Sequence, residues 1–412
     1  MAHPRIGFPT LLYLVIVAMG AGPAVGGEVG RVHNGAMPRD GVQTVVLVEL
    51  WRAGNDGDDL FFGRVPRVDT DQQGNIYILD SQLCQVHVYS PAGDHLRTVF
   101  HEGDGPGEAR DARDMLLMPN GSVGLVLVDL GIVKFVDASG DPAGSLRLGG
   151  TEGGNYALVS GSGIDGAVVL AGRRSSPGKT RSIRLRRLFL QRCDLNGNET
   201  AVYAENHTVY DFNDFNYVER DELPPFHWAY DVGPGGRVFV AGDRDEYVVT
   251  IYDSDGTPEL VIEREYSPFK RTGEDRERFI HMIETSMEGL PFETKVELED
   301  TYPAISVLQR GIQVTSDGSL WVLSGRGLKP DTPGIMAVYD VFDRDGVFVR
   351  QVALAAPHDA ARVGIVLADG NRVIVIEGYL ESLASWFGNG ATFNGEEWST
   401  PEVVVYKMGP GK

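Results

Sequence analysis

The feature that most constrains this chain is an internal repeat. A turn followed by a short apolar run recurs six times: Gln73-Gly74-Asn75 before 76–79, Asn120-Gly121 before 123–126, Asp165-Gly166 before 167–170, Gly235-Gly236 before 238–240, Asp317-Gly318 before 320–322, and Asp369-Gly370-Asn371 before 373–376. Glycine reaches positive φ without a Cβ clash, so each turn predicts a tight antiparallel hairpin. A second glycine series closes the next turn of the same units, at Gly93, Gly140, Gly197, Gly256 and Gly346, with an extended segment on either side. The unit is therefore strand, tight turn, strand, loop, strand, tight turn, strand.

Such a unit cannot bury both faces alone, and radial stacking of copies is the arrangement that leaves only short edges. The expectation is an all-β chain, a six-bladed β-propeller of four-stranded antiparallel blades. The last unit ends its third strand at Val403, Val404, Val405 and Tyr406, with almost no chain left for a fourth. Val42 to Leu50 precede the first unit and read as a strand, so ring closure by this N-terminal strand is expected.

Residues 65–100, with Asn75-Ile76-Tyr77-Ile78-Leu79-Asp80 and Val86-His87-Val88-Tyr89-Ser90-Pro91-Ala92-Gly93, resemble an NHL-type repeat. The following Gly103-Asp104-Gly105-Pro106-Gly107-Glu108 is similar to a loop of exported bacterial six-bladed propellers, as is Thr301-Tyr302-Pro303-Ala304 ahead of the turn at Asp317. The resemblance implies an exported propeller, in a group mostly without an assigned activity.

Residues 1–26 are set apart by composition. Arg5 precedes the apolar run Leu11 to Met19, and Ala24-Val25-Gly26 follows as a small-residue step. This reads as a secretory signal peptide, since the run falls short of the ~20 apolar residues that span a bilayer. Residues 27–412 are then expected to form one propeller domain, secreted or periplasmic. The 412 residues carry 58 acidic and 37 basic side chains, a net charge of −21, which disfavours nucleic acid and anionic membranes as partners. Two cysteines, Cys84 and Cys193, exclude a disulfide-built scaffold and a multi-cysteine zinc site. They fall in units that do not touch, so two free thiols are expected.

Blades of ~40–45 residues leave roughly 115 residues over. They gather between second and third strands, at 172–184, 325–334 and 378–401, and between units, at 206–225 and 267–303. Both loop classes leave a propeller on the same face, so the elaboration is one-sided and points to a site there. The one clear helix, about 273–288, has Thr272 as cap and Phe279, Ile280, Ile283 and Met287 at helical spacing, which suits packing onto the propeller.

The expected function is a non-catalytic binding module that recognises a polypeptide or an oligosaccharide on this face. Tyr210, Phe212, Tyr217, His227, Trp228 and Trp386 are the candidates for stacking or hydrogen bonding, with Arg173 and Arg174 for a carboxylate. Rings in long loops also serve as local cores. The acids of 211–222 are placed to pair with the basic run that begins at Arg173. No cofactor is expected. The alternative is a metal-dependent lactonase- or esterase-like hydrolase, or a lyase, resembling the gluconolactonase and paraoxonase propellers. There Asp69, Asp114, Asn155 and Asp231 would offer hard oxygen ligands to calcium at the channel mouth.

Overall fold

The computed structural model describes residues 29–54, 60–128, 131–149, 155–287, 295–307, 310–369, 371–384 and 400–411. The leader 1–26 lies outside the described residues.

The chain opens with β1 (Gly30–Asn34) and β2 (Val42–Ala53). A first meander follows: β3 (Arg67–Thr70), β4 (Ile76–Asp80), β5 (Gln85–Tyr89) and β6 (His95–Val99). After a short parallel pair, β7 (His101–Glu102) and β8 (Glu108–Ala109), comes a second: β9 (Ala112–Leu117), β10 (Val123–Leu127), β11 (Ile132–Val136) and β12 (Pro142–Arg147). The third has longer strands, β13 (Asn155–Ile164), β14 (Ala167–Pro177), β15 (Ile183–Asp194) and β16 (Glu199–Asp211). Then come β17 (Asn216–Val218), α1 (Glu219–Glu222) and a fourth meander, β18 (Tyr230–Val232), β19 (Val238–Ala241), β20 (Val248–Tyr252) and β21 (Pro258–Arg264). Helix α2 (Gly273–Ser286) and β22 (Lys295–Glu297) separate it from β23 (Ile312–Val314), β24 (Leu320–Leu323), α3 (Gly325–Leu328), β25 (Ile335–Phe342) and β26 (Phe348–Ala355). The chain ends with β27 (Gly364–Ala368), β28 (Arg372–Glu377), α4 (Tyr379–Ala384) and β29 (Glu402–Met408).

The turn chemistry is local. In Asp71, Asp137, Asp194 and Asp343 one carboxylate oxygen accepts the backbone N–H groups two and four residues on, while the glycine three residues on donates to the Asp carbonyl. Every described glycine of the two sequence series has φ between 64° and 96°, the left-handed region that side chains with a Cβ avoid. Part of the acidity of the chain is thus turn hardware.

Central strands β4 and β10 are buried along their whole length, because both faces of each sheet pack against a neighbour. The cores lie between consecutive sheets. Leu79, Val86, Met115 and Leu125 fill one; Leu116, Val126, Leu170 and Phe189 the next. The series returns to its start, where Val68, Ile76 and Ile78 pack against Val366, Ile374 and Val405. First strands touch in succession, β3 to β9, β13, β18 and β23, and β27 touches β3. Between β23 and β27 the Gln313 amide donates to the Ile365 carbonyl and accepts from the Leu367 N–H. This is a β-propeller arrangement, all-β apart from a few short helices.

The expectation of six separate sheets is not met. Among the described residues four sheets of four or five strands stand apart, and one continuous sheet has eight, in the order β23-β24-β25-β26-β2-β29-β28-β27. The fusion has one cause: β2 pairs parallel with β26 through 42–46 and antiparallel with β29 through 47–53. The fifth strand of the fourth sheet is β1, parallel to β21.

The surplus residues do not form plain loops. Residues 172–184 prolong β14 and β15 into a ribbon, paired through Pro177 and Arg184. Segments 206–225 and 267–303 supply β17 and β22, which pair in parallel, with α1 and α2. Thr272 caps α2 reciprocally with Asp275, as the sequence predicts. The apolar stripe of the helix, Phe279, Ile283 and Met287, packs with Phe215, Tyr217 and Tyr210 in a small satellite core. Both cysteines are free and buried.

Candidate functional site

The structure divides the predicted ligand contacts. Tyr217 is buried in the satellite core. Tyr210 stacks on Phe215, lies under the Arg186 guanidinium at 4.2 Å, and donates its hydroxyl to Glu222. These two rings hold the insertion together. Phe212 is part-exposed and stacks on Phe215. His227 is buried in a single helical turn, and its Nε2 lies 3.0 Å from the Gly172 carbonyl. Burial pushes its pKa down to about 3, so the ring is neutral and donates that hydrogen bond. Arg173 and Arg174 stand exposed on the ribbon, Arg174 over the Tyr156 ring. The rest of the basic run is partly consumed: Arg186 forms a bidentate pair with Glu222, and Arg187 reaches Glu199 and Glu205. Trp386 lies outside the described residues, as do Phe387, Phe393 and Trp398.

Trp228 is the predicted residue that reaches the centre. It is half-buried at the end of the helical turn, on the wall of a pocket at the mouth of the channel. Arg67, Arg113, Asp114, Tyr230 and Arg310 also line this pocket, whose space is about 710 Å³ including the part open to solvent. Strands β3, β9, β13, β18 and β27 all reach it, as does Arg310 just ahead of β23. The rim is therefore common property of the ring. Ser160 on β13 bonds the Tyr230 hydroxyl at 3.1 Å, and burial pushes that phenol up to about 12.

Three of the four candidate metal ligands do converge on the channel, but on arginines. Arg67 Nη2 donates to Asp69 at 2.8 Å, and Arg310 Nη2 to Asp231 at 3.2 Å. Asp114 accepts the Gly161 N–H at 2.9 Å, and Asp231 those of Val232 and Val314. Burial raises Asp114 and Asp231 above the ordinary carboxylate range. Burial acts the same way on Asp69, but Arg67 and Arg310 outweigh it and hold that carboxyl low. Asn155 is the exception. It lies exposed at the far end of β13, six residues from Gly161, or ~20 Å along a strand. Among the described residues no group of three or more His, Cys, Asp or Glu side chains is set to hold a metal ion.

Sequence reasoning missed the arginines. For Arg67 a signal existed, because two residues from Asp69 on a strand means the same face. For Arg310 there was none; it sits at φ 46°, a strained left-handed position for a side chain of its size.

A second pocket adjoins the first. It has about 840 Å³ of space, again partly open, beneath α2 between Phe279, Met282, Pro303, Leu328 and Leu380. Val307 lines both pockets, and α4 contributes Tyr379 to the mouth and Leu380 to the second. Inserts from between the sheets and from between second and third strands meet here, so the two loop classes do share a side. The wall is pinned by Glu219, which accepts from Arg244, from both terminal nitrogens of Arg271 and from the Glu299 N–H.

No protein-family model and no curated protein matches the sequence. Among solved structures the chain is similar to a candidate exported protein from Bacteroides fragilis, at 11% identity and TM-score 0.48, over 92% of this chain and 100% of that one. It is also similar to a member of the DUF4221 family from Bacteroides vulgatus, at 10% identity and TM-score 0.49, over 89% and 98%. Streptogramin B lyase shares 10% identity at TM-score 0.38, over 84% and 79%. At that identity and overlap none of them assigns a chemistry to this chain. No described helix is long and apolar enough to cross a membrane.

Proposed function

We propose that this protein is an exported binding module without chemistry of its own, which takes a polypeptide at the mouth of its channel. The observation that carries the reading is the pocket itself: half-buried Trp228 stands where the innermost strands meet α4. An indole offers a large, rigid contact area at small entropic cost. Export rests on the signal-like segment 1–26, with a secreted or periplasmic location. The blade count is part of the proposal: the eight-stranded sheet is two four-stranded blades, β23 to β26 and β27 to β29 with β2, joined where β2 also pairs with β26, which makes six with the NHL-repeat-like unit 65–100 as the first. The double pairing of β2 and the contact of β27 with β3 support it.

A polypeptide is favoured over an oligosaccharide because Tyr210 and Tyr217, the rings that could have offered a flat sugar platform, are spent on the satellite core. The metal-dependent reading needs oxygen ligands free of other partners, and Asp69, Asp114 and Asp231 are engaged by arginines or backbone N–H groups. Peptide and glycan arrays probed with the mature protein and with Trp228→Ala test the proposal. Peptide hits lost in the variant support it, and hits confined to glycans replace the ligand class. A stoichiometric divalent ion whose chelation abolishes lactonase or esterase activity would sink the non-catalytic reading.

A further inference from the structure

The channel mouth has a charge character that the chain as a whole does not. In a protein of net charge −21, three guanidinium groups, Arg67, Arg113 and Arg310, line one pocket with, among the described residues, a single carboxylate, Asp114. Asp69 and Asp231 pair with two of these arginines but do not line the pocket. Guanidinium groups gathered in a partly enclosed, low-dielectric site attract an anion more strongly than the same groups in water.

Arg67 adds a second, independent observation. It is 9% exposed, and its Nε is buried with no hydrogen-bond partner among the described residues. Asp114 Oδ1 is 3.8 Å from it, beyond hydrogen-bond reach. A buried donor left without an acceptor is costly, and this one belongs to a side chain that lines the pocket. Next to it the wall carries Trp228 and Tyr230, and past Val307 lies the apolar second pocket.

We propose that the mouth is a carboxylate site: Arg67 donates through Nε, Arg113 and Arg310 flank it, and Trp228 covers the adjoining part of the ligand. The inference rests on the binding-module reading and deepens it, by requiring the bound polypeptide to place an acid in the mouth and an apolar group toward the second pocket. The carboxylate can come from a chain terminus or from an Asp or Glu side chain. Both present the same pair of oxygens to a guanidinium.

The test uses the mature full-length chain and two probes of equal shape, N-acetyl-phenylalanine and its neutral amide, titrated calorimetrically at low salt. The acid is expected to bind, the amide at least tenfold more weakly. Arg113→Gln, at a half-buried position whose loss the fold tolerates better than loss of Arg67, is expected to weaken the acid at least fivefold and leave the amide unchanged. Peptides with free or amidated C-termini, and with Glu or Gln at internal positions, then separate the two carboxylate sources. Equal binding of acid and amide, or no effect of Arg113→Gln, overturns the carboxylate site. So does failure of both probes while array peptides still bind irrespective of their acids, and in that case the binding-module reading survives. Failure of every peptide and both probes removes both.

Discussion

Removing the charge from Glu219 tests whether the crown above the mouth is rigid. The side chain is 2% exposed, and its partners Arg244 and Arg271 are 3% and 5% exposed. Glu219 Oε1 accepts from Arg244 at 2.9 Å and Arg271 at 2.7 Å; Oε2 accepts from Arg271 at 2.5 Å and from the Glu299 N–H at 3.1 Å. Glu219→Gln keeps the shape but turns an NH2 toward groups that only donate; it takes the carboxylate partner from buried Arg271 and leaves Arg244 with Asp245. Breaking a buried pair in this way costs about 3–5 kcal/mol. Urea unfolding followed by tryptophan fluorescence should show that loss at pH 7, whereas Asp214→Asn, which removes an exposed partner of Lys295, should leave the midpoint in place. Burial alone would raise the Glu219 carboxyl, but Arg271 and Arg244 override it and hold it below its ordinary value. The wild-type advantage is therefore full above ~4.3 and fades as pH falls through the lower, folded value, so the gap between the two proteins narrows toward pH 3. A loss under about 1 kcal/mol at pH 7, the size of a solvent-exposed pair, would refute the claim of a pinned wall.

Two further outcomes follow from buried groups. Burial raises both thiols, Cys193 to about 12, so neither should react with a thiol reagent in the native protein and both should react after unfolding; rapid native labelling or a disulfide would contradict the packing of the β4–β5 turn and of β15. The His227 ring should stay neutral in NMR titration down to pH 5, and since the unfolded ring takes up a proton below ~6.5, it removes stability as pH falls. A normal titration would mean that Gly172 and His227 are solvated.

Local chemistry made the repeat legible. The Asp-to-Gly turns and the hairpins sit where spacing places them, because each is settled within five residues by Asx bonds and a left-handed glycine. The cap of α2 was readable for the same reason. What sequence could not supply is what the ring brings together from afar. That Asp231 meets Arg310, or that Tyr210 turns inward onto Glu222, depends on the neighbouring sheet or on how an insertion folds back on itself. Alternation of faces fixes that a residue points inward, and leaves open which partner it meets. The double pairing of β2 is of this kind too, since a strand of twelve residues shows nothing in its composition of being shared.

The most direct measurement addresses that shared strand, because the position of the mouth depends on ring closure. Val48 and Lys407 face each other across β2 and β29, both exposed. Replacing both by cysteine and mapping peptides after mild oxidation should yield an intramolecular bridge between segments 359 residues apart in sequence, as the paired positions require. Cysteines that stay reduced, or that link only between molecules, would show that the N-terminal strand does not close the ring.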